Sequence, residues 1–190
     1  SPPSTGESAL PSTPVKKPAS TSKSADRKPK LPGAKLPETL AGETVYIVDA
    51  YALIYQVFHA MPAMTGPHGQ PVGAIHGFIR DMVTLLREKQ PNYLFCTFDS
   101  PGPTFRHDQY DQYKINREAM PEDLRQQIPG IQEMLGAMDM PVLKLAGFEA
   151  DDIIATLARQ VDELGGEAYL VTNDKDCRQL ITPRVCMYNI

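Results

Sequence analysis

From Thr44 onward the apolar residues of this 190-residue chain alternate between strand-length runs and helical spacing; before Thr44 there is almost nothing to bury. "TVYIVDA" (44–50) is a short apolar run ending in an acid, the pattern of a strand covered on both faces. "YALIYQVFHAM" (51–61) spaces Leu53, Ile54, Val57 and Phe58 as one helix face, and "PAMTGPHGQP" breaks it. "VGAIHGFIRDMVTLLREKQ" (72–90) predicts a second helix, with Ile75, Phe78, Ile79, Met82, Val83 and Leu86 on one side. "NYLFCTFDS" is a second buried strand, again closed by an acid, Asp99.

The polar and basic stretch "PGPTFRHDQYDQYKINREAMPED" is too long for an ordinary connection. Beyond it the pattern predicts a helix over 121–138, a strand in "PVLKLA", a helix from "GFEADDIIATLA" to about Leu164, and a strand in "EAYLVT". "NDKDCRQL" reads as the start of another helix and "RVCMYNI" as a fifth strand. Such alternation predicts an α/β fold, a mostly parallel sheet between layers of helices. Sites in open sheets of this kind lie beyond the carboxyl ends of the strands.

Composition divides the chain. The first 43 residues are rich in Pro, Ser, Thr and Lys and lack aromatic residues, so they are expected to form a disordered, mildly basic tail. Val45 to Ile190 carries 12 Lys/Arg against 19 Asp/Glu, a poor electrostatic partner for nucleic acid unless its acids collect metal ions. No transmembrane-length apolar run and no secretory signal is present, and Cys96, Cys177 and Cys186 form no CxxC pair. Free thiols in a reducing, intracellular compartment are therefore expected. A chain that opens on Ser and stops after an apolar stretch reads as a fragment of a longer protein.

The acids carry the candidate chemistry. Asp49 and Asp99 end the first two strands, Glu149, Asp151 and Asp152 follow the third after a short turn, and Asp174 and Asp176 follow the fourth. All seven belong on one sheet edge. One acid alone is explained as a strand-end or helix cap. Four such coincidences on one edge favour a shared site. Two carboxylates about 4 Å apart repel by about 4 kcal/mol at an effective dielectric of 20, so the cluster calls for cations. Oxygen ligands without His or Cys suit a hard ion, Mg²⁺ or Mn²⁺. The long loop adds Arg106, Lys114 and Arg117 with Tyr110 and Tyr113 between them, bases for phosphates and rings for unpaired nucleobases. His59, His68, His76 and His107 have no metal-ligand spacing, and His59 reads as a helix-packing residue. There is no Gly-rich phosphate loop and no GxSxG elbow. A phosphatase with an aspartyl nucleophile needs a second Asp where Tyr51 stands.

The stretches "VDAYALIYQVFHAM", "HGFIRDM", "FDSPGPTFRHDQYDQYKINR", "MPEDLRQQI", "GFEADDIIATLA" and "TNDKDCRQL" resemble the 5′–3′ exonuclease domain of bacterial DNA polymerase I, of the flap-endonuclease family, over residues 44–190. The resemblance implies a three-layer PIN-like fold and a divalent-metal-dependent 5′ nuclease that cuts DNA at a 5′ end, flap or nick. It makes Asp49, Asp99, Glu149, Asp151, Asp152, Asp174 and Asp176 the acids of a site for two or more ions. Lys114 and Arg117 become the catalytic basic pair of an arch over the substrate, with Tyr113 stacking on a base; Arg106, in the same basic loop, is expected from its charge to contact DNA. It also implies polymerase domains in the same full-length chain, no membrane partner, and a cytoplasmic, nucleoid-associated setting. Two departures stand out: Gln56 occupies the place of a usual Arg, and the chain stops before a further pair of acids and the helix–loop–helix that grips duplex DNA. A catalytically incomplete module that only binds nucleic acid or docks on another domain is the competing reading.

Overall fold

The computed structural model describes residues 37–100, 102 and 119–190. Five strands form one sheet: β1 (Thr44–Asp49), β2 (Tyr93–Thr97), β3 (Val142–Leu143), β4 (Glu167–Val171) and β5 (Val185–Tyr188). Their order is β3-β2-β1-β4-β5, and every pairing is parallel. The register sets Val48 opposite Cys96 on one side and Val171 on the other, so β1 is central and its carboxyl end opens between β2 and β4.

Alternation along β1 divides the core. Tyr46 and Val48 face α1 (Ala50–Ala60), α2 (Gly73–Lys89) and α4 (Ile128–Ala137), in a cluster with Ile54, Phe78, Met82 and Ile131. Val45 and Ile47 face α5 (Ala150–Glu163), packing on Ile154, Ala158 and Val161. The sheet is thus covered on both sides, which is why its strands read as continuous apolar runs. Leu40 is buried in the second cluster, and its amide donates to the Leu164 carbonyl (2.8 Å). The packed unit therefore begins before Thr44, within the last residues of the expected tail; residues 1–36 lie outside the described ones.

The helix expected over 121–138 is two pieces, α3 (Glu122–Arg125) and α4. Pro129 stands in the first turn of α4, where its missing N–H costs nothing but prevents a continuous helix from arriving. The buried Gln127 at the break turns inward: its Oε1 accepts from the amides of Ala74 (2.8 Å) and Ile75 (3.3 Å), capping α2 from a distant part of the chain. The third strand is shorter than "PVLKLA" suggested, two residues, and "DCRQL" lies in a 3₁₀ turn, Lys175–Leu180, rather than an α-helix.

Gly77 brings α1 and α2 together. A methyl group there would overlap Val57 Cγ1 and lie 3.1 Å from Met61 Cγ. The close contact fixes α1 against α2, and α1 in turn forms one wall of the cleft described next.

Candidate functional site

Beyond the carboxyl ends of β1, β2 and β4 lies an open cleft of about 860 Å³. Asp49, Asp99, Glu149, Asp151, Asp174 and Asp176 line it, and no Lys or Arg does so among the described residues. Six of the seven acids singled out in the sequence therefore share one space. Four places in the chain deliver them: the end of β1 supplies Asp49, the end of β2 Asp99, the start of α5 Glu149 and Asp151, and the turn after β4 Asp174 and Asp176.

Helix capping and cleft lining turn out to be compatible. Asp49 is the N-cap of α1, its Oδ1 accepting from the Ala52 amide at 3.1 Å. Asp99 Oδ1 accepts from the Ala150 amide (2.8 Å) at the start of α5. Asp174 Oδ1 accepts from the Asp176 amide (2.8 Å) at the head of the 3₁₀ turn. Each acid thus sits at the positive end of a turn that fixes its orientation. Gly147 makes this possible for the third group: its φ of +83° forms the tight turn that swings the chain from β3 into α5.

Asp152 departs from the expectation. It does not line the cleft; its Oδ2 accepts from the Glu149 amide (3.0 Å), and the two residues form a capping box. The reason is helical geometry, since a residue one position after Asp151 points about 100° away around the axis. Arg106, Tyr113, Lys114 and Arg117, with Tyr110, lie outside the described residues.

The electrostatics follow from the crowding. Asp151 has its pKa pushed up to about 6, by burial first and then by the charges of Asp49, Asp174, Asp99 and Glu149. The Asp49 carboxyl is also raised, chiefly by burial, while bonds from Ala52 and Thr172 pull it the other way. Among the described residues no three His, Cys, Asp or Glu are gathered closely enough to hold an ion as they stand. The donor set nevertheless fits a hard divalent cation: six carboxylates line the cleft, with no Lys or Arg of the described residues to neutralise them.

Several cleft residues escaped the sequence reading. Tyr51, Tyr55 and His59 stand one turn apart on α1 and line the wall facing the acids. His59 is exposed, 6.3 Å from the Tyr55 ring centroid, and is not the helix-packing residue expected. Their i, i+4, i+8 spacing was a visible signal. Gln56 is engaged with the segments after β4 and β5: its Oε1 accepts from the Asn173 side-chain amide, and its Nε2 donates to the Ile190 carbonyl (3.2 Å). The buried Thr172 hydroxyl bonds Asp49. Cys177, buried beside Asp151, Asp49, Asp174 and Asp176, has its thiol pushed up to about 12, and burial does the same to Cys96. Neither is a nucleophile at neutral pH.

Residues 44–190 match the family model of the 5′-3′ exonuclease N-terminal resolvase-like domain. DNA polymerase I of Rhizobium leguminosarum is 42% identical over 156 residues, covering 78% of this chain and 15% of that protein. The 5′-3′ exonuclease of Aquifex aeolicus is 38% identical over 147 residues, covering 77% of this chain and 51% of its own length. The chain therefore spans about half of one relative and a small part of the other. Among solved structures, the bacteriophage T5 flap endonuclease in a pseudo-enzyme–product complex with DNA and metal ions has the same fold, with a TM-score of 0.61 at 19% identity. That match covers 78% of this chain and 55% of the phage protein. The family model spans residues 44–190, and the chain belongs to the 5′-3′ exonuclease N-terminal domain family.

Proposed function

We propose that this chain is the acid-bearing part of a Mg²⁺-dependent 5′ nuclease that hydrolyses phosphodiesters of DNA near a 5′ end, flap or nick. The observation that carries the reading is the convergence of six carboxylates from four places in the chain on a cleft with no Lys or Arg lining it among the described residues. Asp49, Asp99, Glu149, Asp151, Asp174 and Asp176 would hold the ions, with Asp152 acting by orienting Glu149. Mn²⁺ would satisfy the same oxygens. Ions bound there supply an activated water and neutralise charge on the phosphate being cut.

The remaining steps belong to side chains. The ring face of Tyr51, Tyr55 and His59 gives nucleobases an apolar wall opposite the acids, so a strand entering the cleft can lie with its bases on α1 and its phosphates toward the carboxylate edge. Lys114 and Arg117, by resemblance to the family, would add positive charge at the phosphate, with Tyr113 and Arg106 holding the strand. Relatives named DNA polymerase I support polymerase domains in the same full-length protein. Among the described residues no helix is long and apolar enough to cross a membrane. The reading places the protein in the cytoplasm, on DNA.

The test is cleavage of a 5′-labelled flap DNA with and without Mg²⁺, using Asp99→Ala as the control for contaminating nuclease. Mg²⁺-dependent cutting that Asp99→Ala lacks is expected. Cutting by Asp99→Ala within threefold of the parent would remove Asp99 from the site, and a folded parent that binds flap DNA without cutting it would favour the binding-module reading.

A further inference from the structure

The acids of β1 and of the turn after β4 reach the cleft from different parts of the chain, and one buried side chain joins them. Thr172 follows β4 directly. Since Val48 pairs with Val171, Asp49 and Thr172 occupy the next position on neighbouring strands. The Thr172 hydroxyl donates to Asp49 Oδ2 (3.0 Å) and accepts from the Asp174 amide (3.1 Å). A hydroxyl has one proton. With the Asp174 amide on its lone pair, that proton is directed at the carboxylate.

The consequence is a continuous chain of hydrogen bonds. The Ala52 amide holds Asp49 Oδ1, Thr172 holds Asp49 Oδ2, the Asp174 amide is held by Thr172, and Asp174 Oδ1 holds the Asp176 amide. Asp49 is gripped at both oxygens and cannot rotate about its Cβ–Cγ bond without breaking one contact. Three of the six cleft acids are placed relative to one another by this chain, at the point where mutual repulsion would drive them apart.

Resting on the metal reading above, we propose that Thr172 is a positioning residue of the acid cluster, its hydroxyl tying Asp49 to the Asp174 backbone so that both are presented together to a divalent cation. It touches neither substrate nor the reacting atoms. Groups that orient ligands from behind cost about 10–100-fold in metal affinity when lost.

The experiment is a Mn²⁺ titration of this chain followed by the paramagnetic resonance signal of free Mn²⁺, with no DNA present, on the parent, Thr172→Val and Thr172→Ser. Melting curves in EDTA establish that each variant is folded at the titration temperature. Thr172→Val keeps the branched shape and loses the hydroxyl, and is expected to bind Mn²⁺ about tenfold or more weakly. Thr172→Ser keeps the hydroxyl and should stay within threefold of the parent. Parent-like affinity in Thr172→Val overturns the inference. So does an equal loss in both variants, which would assign the effect to the methyl group and its packing. If Thr172→Val does not melt cooperatively, Thr172→Ala takes its place with the same expected loss, and parent-like affinity there counts equally against the inference. Absence of Mn²⁺ binding in the parent is a different signature, and removes the metal reading along with the role of Thr172.

Discussion

Asp151 shows at the scale of one residue how an acid cluster lowers the stability of the fold that builds it. Its folded pKa of about 6 lies above the ordinary value of 3.8, so between those values the folded chain holds a proton that the unfolded chain has lost. Stability from this group is therefore greatest at low pH and declines as pH rises through about 6. Asp49, shifted in the same direction, adds to the slope. In EDTA the melting temperature should fall from pH 4.5 to pH 7, and Asp151→Asn should flatten part of that fall, by about 1 kcal/mol once solvent screening of a half-buried group is allowed for. Mg²⁺ at pH 7 should recover the loss in the parent more than in Asp151→Asn. An unchanged slope in the variant would show that Asp151 is not the group responsible.

Helices α1 and α2 make the corresponding argument at the scale of elements. Gly77 lets α2 approach α1 so closely that an added methyl group meets Val57. Gly77→Ala should cost about 1–3 kcal/mol of stability, measured as a lower urea midpoint, because the helices must separate or strain. Since α1 carries Tyr55 and His59, the same change should also lower flap cleavage; a variant with the parent's midpoint would mean that Val57 has room to turn aside. Most elements were legible because period and length agree: the strand of 44–49 and the helix of 73–89 carry their own burial pattern. The break at Gln127 was less so. Pro129 hinted at it, but the capping of α2 by Gln127 joins residues about fifty positions apart, and no local pattern contains that. The site divides in the same way. Acids at strand ends could be placed by topology alone, whereas the turning away of Asp152 depends on helix phase and the bond from Thr172 to Asp49 on strand register.

Over the whole molecule, the excess of acids from Val45 to Ile190 opposes association with DNA unless the cleft is neutralised. Fluorescence anisotropy of a labelled flap duplex at matched ionic strength should give about tenfold tighter binding in Ca²⁺ than in EDTA, an effect that added NaCl cannot reproduce. Equal affinity in the two buffers would place DNA binding on a surface independent of the acids.

The central position of β1 has a consequence for the order in which the protein comes into being. Asp49 is made before the strands on either side of it, which begin at Tyr93 and Glu167, and before Thr172, whose hydroxyl grips it. Until the ribosome has released the chain past Asp176, the first acid has no finished neighbourhood and the cleft no second side. A cleft built this way stays incomplete while the chain is being made. It is completed only once β4 and the turn after it have emerged, so a nascent chain stalled before Thr172 carries Asp49 and Asp99 without the contact that holds Asp49 in place.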